Sequence, residues 1–247
     1  MTTRRTVLTG ALAGAIAPKA FALGPNSQFD VAEIMLSSGT LSRPSAWERA
    51  LFEVIQSTSI EANPRAVQIS PEDPELFAHP FAVLIGSGRL PDLSEKGARM
   101  LQRYLSSGGF LLMDDATASP GGEFDTSVRQ WCRKIFPTKS LTPLRGDHSV
   151  YRSFFLLQKP LGRVSVSDVM EGVHGGEVTS LVYCPNDISG ALDRSPDGRN
   201  RNPVVPGGEW QRMEAVKLAI NLIMYSLTSN YKHDQAHVKR LLEDGRL

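Results

Sequence analysis

At 247 residues and 41% hydrophobic, the sequence is that of an ordinary soluble globular chain, large enough for one substantial core. With 27 Lys and Arg against 26 Asp and Glu its formal net charge is +1, which leaves no basic footprint for nucleic acid and no polybasic patch for a membrane surface. It contains no internal repeat, low-complexity tract or long run of like charge.

The first residues have the layout of an export signal. Thr3 to Leu8 form a basic n-region, Thr9 to Ala17 a mild Gly/Ala-rich apolar run, and Ala20-Phe21-Ala22 an A-x-A cleavage site with Lys19 just before it. Paired Arg4 and Arg5 followed by apolar residues match a twin-arginine signal, the alternative being a disordered basic tail. The expectation is a signal over residues 1–22, a single α/β domain over 23–247, and a periplasmic location. The apolar run is too short to span a bilayer and no later segment qualifies, so no membrane span is expected after cleavage. Cleavage removes three positive charges, Arg4, Arg5 and Lys19, and takes the formal net charge from +1 to −2. Nucleic acid is therefore not an expected partner. An oxidising compartment would permit Cys132 and Cys184 to pair if their Cα atoms lay within about 7 Å. Their places, one in a helical stretch and one at a strand end, favour two isolated buried thiols.

Phe29 to Leu36 reads as the first strand, closing in Ser37-Ser38-Gly39. Ser45 is expected to cap a helix with Trp47, Ala50, Leu51, Val54 and Ile55 on its core face. Ala66 to Ile69 is a short second strand, and Pro71, Pro74 and Pro80 mark an irregular connection. The centre of the chain comes next. Phe81 to Ile85 and Phe110 to Met113 are continuous apolar runs, the pattern of strands buried on both faces. Between them Ala98, Leu101, Tyr104 and Leu105 recur at helical spacing behind an N-cap at Ser94, and Gly108-Gly109 turns the chain back. This strand, helix, strand unit implies a parallel sheet with a right-handed crossover. Phe124 to Phe136 is helical. Residues 139–178 read as an insertion with its own small β structure, built on Val150 to Leu157 and Val164 to Val169. Val178 to Tyr183 is the next strong strand. Asp193 to Gly208 is loop, Glu209 to Thr228 the longest helix, and a polar tail from about 229 to 247 holds a short helix, Gln235 to Leu242. The architecture predicted from these elements is a doubly wound, mainly parallel α/β sheet.

In such a sheet ligands bind outside the carboxyl ends of the strands, and those ends are small or polar here: Ser37 to Gly39, Gly86-Ser87-Gly88, Asp114-Asp115 and Asn186-Asp187. Asp114 and Asp115, with Asp147 and His148, could bind a metal or supply a general acid or base. Adjacent strand residues point to opposite faces, so at most one of the two aspartates faces the crevice unless the strand has ended. The structural alternative is that one aspartate caps the next loop or helix and the other pairs with an arginine such as Arg129. Gly86, Ser87 and Gly88 could offer backbone N–H groups to an anion beside Arg89, or simply form a tight strand exit. Asn186 and Asp187 suit an Asx-turn. Glu209 and Arg212, on the first turn of the long helix, could reach the crevice or pair locally. His233 and His237 stand at i, i+4, a metal-capable spacing without an evident third ligand. Neither a cofactor nor an oligomeric state is indicated.

LSEKGARMLQRYLSSGGFLLMDDA, FDTSVRQWCRKIFP, GDHSVYRSFF, VYCPNDISGAL and PGGEWQRMEAVKLAINLIMYSLTSNYKHDQAHV together resemble the bacterial family catalogued as domain of unknown function 4159. The resemblance covers nearly the whole mature chain and implies a flavodoxin-like sheet similar to class I glutamine amidotransferases. It also implies company with MoxR-type ATPases and von Willebrand factor A-type proteins. An amidotransferase relationship would place a catalytic cysteine at a strand-to-helix elbow, but the central strand ends Ile85-Gly86-Ser87-Gly88-Arg89, and no G-x-C-x-G or G-x-S-x-G occurs. Two functions are expected on these grounds. One is an exported, non-catalytic binding or interaction module; the other is a metal-dependent hydrolase using Asp114, Asp115, Asp147 and His148. A small-ligand receptor at the crevice is a third.

Overall fold

The computed structural model describes residues 29–175 and 178–243, with side chains of the last helix described as far as Thr228. The segment read as an export signal, 1–22, and the side chains of His233 and His237 lie outside the described residues. The elements in chain order are β1 (Phe29–Ile34), β2 (Thr40–Leu41), α1 (Pro44–Ser57), β3 (Ala62–Ile69), β4 (Phe81–Gly86), α2 (Glu95–Ser106), β5 (Phe110–Asp115), α3 (Glu123–Ile135), β6 (Thr142–Pro143), β7 (Glu171–Gly175), β8 (Val178–Cys184), α4 (Ile188–Leu192) and α5 (Gly208–Glu243). Short 3₁₀ turns lie at Pro74–Ala78 and Ser149–Tyr151.

Five parallel strands form the centre in the order β3-β1-β4-β5-β8, with β7 and β6 added antiparallel beyond β8. In order of appearance the parallel strands run 2-1-3-4-5, the flavodoxin-like doubly wound order. Alternation along each strand divides the apolar side chains between two layers. Val31, Phe81, Val83, Phe110, Leu112 and Val182 face α1, α4 and α5. Ala32, Ile34, Ala82, Leu84, Leu111, Met113 and Leu181 face α2 and α3. On the first face an aromatic row crosses the sheet, Trp47 to Phe81 at 5.2 Å, Phe81 to Phe110 at 5.3 Å and Phe110 to Tyr225 at 5.9 Å between centroids. Each such pair adds about 0.5–1.5 kcal/mol beyond its area burial.

The central unit is formed as the sequence predicts. The Ser94 hydroxyl accepts from the Gly97 N–H at 2.9 Å, and Gly108 takes φ 101° where the chain leaves α2. Elsewhere several elements differ. α1 begins at Pro44, whose fixed φ suits the first helical position, so Ser45 lies inside the helix and its hydroxyl donates to Asp193 instead. β3 starts four residues earlier than expected, at Ala62, because an edge strand tolerates Pro64. The tail does not form a separate short helix: α5 runs on to Glu243, with no Gly or Pro between Glu209 and Leu242 to stop it.

Residues 139–178 do not build a separate β unit on the two apolar runs. The β structure of this segment is β6 and β7, which extend the main sheet. Val150–Leu157 is a 3₁₀ turn followed by irregular chain, and Val164–Val169 forms no strand. Its alternating valines and serines look strand-like, but the Val166 and Ser167 N–H groups donate to the Asn186 side chain rather than to a neighbouring strand.

Candidate functional site

The strand order reverses between β1 and β4, and a doubly wound sheet opens its crevice there. Here the chain itself enters that crevice. β1 pairs with β4 only as far as Glu33 and Val83, and then β2 folds back to pair antiparallel with Ile85 and Gly86. The Gly39 carbonyl accepts from Ser87 N–H. Gly39 makes this possible: φ is 73°, and a Cβ would lie 2.3 Å from the Arg89 carbonyl oxygen. Gly86 is equally specific, since its absent Cβ is replaced by the Phe124 ring, 1.9 Å from where that atom would sit. Gly86→Ala is expected to force Phe124 aside and lower unfolding free energy by about 1–3 kcal/mol in urea titration. At the Gly86-Ser87-Gly88 exit, Gly86 thus packs against Phe124 and the Ser87 N–H is directed to Gly39.

Asp114 and Asp115 point to opposite faces, as strand alternation requires. Asp114 is fully buried and accepts from the Ile188 and Ser189 N–H groups at 2.9 and 2.7 Å, closing the first turn of α4. Burial, then the nearby charge of Asp187, raises its pKa from 3.8 to about 7, against the two N–H donors. A carboxyl raised in the folded state binds more protons there than in the unfolded chain, so its contribution to stability is full below its unfolded pKa and falls as pH rises through this window. Asp114→Asn should therefore flatten the fall in stability between about pH 4 and pH 7, read by urea unfolding across that range. Asp115 instead accepts from Thr117 N–H (2.9 Å), Thr117 Oγ1 (2.6 Å) and Ala118 N–H (3.1 Å), with the Tyr183 hydroxyl at 3.3 Å. It shapes the loop after β5. Arg129 pairs with neither aspartate but with Asp125 and Glu171.

Asp187 lies at the centre of the edge. It occupies the left-handed region (φ 57°), caps α4 through the Gly190 N–H at 2.9 Å, and takes guanidinium donors from both Arg43 and Arg163. Arg43 is positioned by Glu33, a buried carboxylate that accepts from Arg43 N–H (2.9 Å) and Ser42 Oγ (2.6 Å). Burial raises the Glu33 pKa, partly offset by those donors. Asn186 is fully buried with both ends of its amide used: Oδ1 accepts from Val166 and Ser167, and Nδ2 donates to the Pro160 and Ser167 carbonyls. Arg212 is 3% exposed and donates to the Ala191 and Asn202 carbonyls and to Glu209. Of the predicted residues, Asp114, Asn186, Asp187 and Arg212 are thus gathered at one edge. Glu33, Arg43, Arg163 and Asp193 belong with them, although sequence reasoning did not name them. Glu33 alone carried a signal, as a charge inside an apolar strand.

Asp147 and His148 are elsewhere. His148 Nε2 lies 3.1 Å from Thr179 Oγ1, at the amino end of β8. Asp114 pairs with Cys184, five residues further along β8, or roughly 16 Å at about 3.3 Å per residue. Val150 N–H donates to His148 Nδ1, and burial with the charge of His174 lowers the His148 pKa, both of which favour the neutral ring. Asp147 is exposed. Asp115, Asp147 and His148 therefore do not converge, and among the described residues no three His, Cys, Asp or Glu are placed to hold one metal. The cysteines are free and buried in opposite layers. Burial pushes the Cys132 thiol up to about 12 and Cys184 well above the usual range, so neither is a ready nucleophile.

A cleft of about 700 Å³ opens at this edge between the start of α1 and the loop after α4. Arg43, Ser45, Glu48, Asp193, Arg194 and Arg201 line it. Asp193 is held by Ser45 Oγ (2.6 Å) and Arg201 Nε (3.2 Å). Among the described residues no helix is long and apolar enough to cross a membrane.

Comparison with curated proteins finds no match. The family model described as Domain of unknown function (DUF4159) matches residues 31–227, from β1 through the buried part of α5, and the chain belongs to that family.

Proposed function

We propose that the protein is an exported, non-catalytic, amidotransferase-like α/β domain that serves as a binding or interaction module in a periplasmic assembly. One observation supports this most: the polar groups at the carboxyl edge, where a doubly wound enzyme would keep its reactive side chains, hold the chain's own segments together. Asp114 and Asp187 cap α4, Asn186 and Arg163 fix the segment before β7, Arg43 and Glu33 fix the entry to α1, and β2 fills the crevice. β4 runs into Gly86-Ser87-Gly88 without a cysteine or a G-x-S-x-G elbow. The partner would be of the MoxR-type ATPase or von Willebrand factor A-type class that the resemblance implies.

Two measurements test the proposal. Purified protein should release no ammonia from glutamine and hydrolyse no activated ester above the buffer blank, while crosslinking in the native periplasm should give a complex of fixed stoichiometry. Turnover that disappears in Asp115→Asn would overturn it. The mature chain isolated from the periplasm should begin at Leu23.

A further inference from the structure

We infer that the cleft between the amino end of α1 and the Asp193–Asn202 loop is a binding site for a small oxyanion, a carboxylate or phosphate group carrying one net negative charge. This deepens the binding-module proposal by naming what the domain would hold, and its failure leaves the partner test standing.

The case rests on charge left over after the local pairs are made. Arg43 and Arg163 share Asp187, and Arg201 and Asp193 pair at the mouth. Arg194 lines the same cleft, yet the ion pairs among the described residues do not use it, and its Nε is buried without a hydrogen-bond partner. Its backbone carbonyl is already held by Ser45 Oγ and Arg201, so the residue is fixed in place while its guanidinium is not neutralised. Of the charged residues that line the cleft, Arg43, Arg194 and Arg201 face Asp193 and the exposed Glu48, an excess of one positive charge at its wall, while Asp187, Arg163 and the buried Glu33 do not line it. Arg49 lies nearby with its Nε also buried and unpartnered, its Nη1 donating to Asn200 and its charge set between Arg194 and Arg212 on one side and Glu53 and Glu209 on the other. A planar guanidinium recognises carboxylate and phosphate oxygens bidentately. α1 adds to this, since it begins at the cleft with no side chain capping its first turn. About 700 Å³ suits a small molecule or the end of a peptide.

The test titrates the full chain at constant ionic strength with sodium phosphate and, separately, sodium acetate, following backbone amide signals of Ser45, Ala46, Arg194 and Ser195 by NMR. Saturable shifts are expected with at least one probe. The apparent affinity should weaken about tenfold in Arg194→Gln and be unchanged in Arg199→Gln, whose side chain is 87% exposed and pairs with Asp197. Tighter saturation by phosphate would assign the site to a phosphate group, and tighter saturation by acetate to a carboxylate. Non-saturating shifts with both probes in the wild-type chain, or equal affinity in Arg194→Gln with its amide spectrum otherwise preserved, would overturn the inference. The wild-type titration decides even if the variant does not fold.

Discussion

Asp187→Ala is expected to lower the unfolding free energy by about 3–5 kcal/mol, the range for removing one partner of a buried charge cluster. The aspartate is fully buried, whereas Arg43 and Arg163 keep side-chain exposures of 14% and 25%. Water can therefore reach the stranded guanidiniums, which places the loss toward the lower end. The α4 cap is lost as well, a change worth about 1 kcal/mol on its own. Asp187→Asn should recover a substantial part, because asparagine tolerates the left-handed conformation and still accepts from Gly190. Urea unfolding of the two variants beside the wild type measures both effects.

Asn186→Ala is the second large effect, and it should be local as well as global. The amide makes four hydrogen bonds, and its removal leaves the Val166 and Ser167 N–H groups and the Pro160 carbonyl without their partner. An unsatisfied buried group costs about 1–3 kcal/mol, and partial access to water for the segment brings the expected total to about 2–4 kcal/mol. The chain fits closely here, since a Cβ on Gly162 would lie 2.0 Å from the Asn186 carbonyl oxygen. Hydrogen exchange should show Leu161–Val169 losing protection while β4 and β5 keep theirs, since local opening is governed by the contacts of the segment that opens.

The centre of the fold was legible in the sequence for a physical reason. β4 and β5 are buried on both faces, so their composition is dictated by burial alone, and α2 between them has a cap, an apolar stripe and a glycine stop that agree with one another. The segment between α3 and β8 was not legible. Its conformation is set by a distant amide, Asn186, and its one long strand, Glu171–Gly175, contains two glycines and a histidine that no strand pattern would select. α4 escaped for a different reason, although Asp187 stands one residue before Ile188, with Ala191 and Leu192 at helical spacing. Five residues are too few to show a period. The strand-end rule puts Asp114, Asn186 and Asp187 at the carboxyl edge, where they lie, but carries no information about their partners. Arg43 and Arg163 come from loops 144 and 24 residues away from Asp187, and nothing local marks either one. Asp147 and His148 were joined to the edge only by residue type, and the sheet places them at its other end.

A double-mutant cycle between Arg43 and Asp187, read by urea unfolding of Arg43→Ala, Asp187→Ala and the pair, tests most directly whether the carboxyl edge is a clasp for the chain itself. If it is, both single variants are less stable than the wild type and the coupling between them is about 1–3 kcal/mol. Groups retained for chemistry at the expense of stability behave the other way, and their replacement leaves the fold as stable or more so. Single variants at or above wild-type stability, with coupling near zero, would contradict the structural role assigned to this edge.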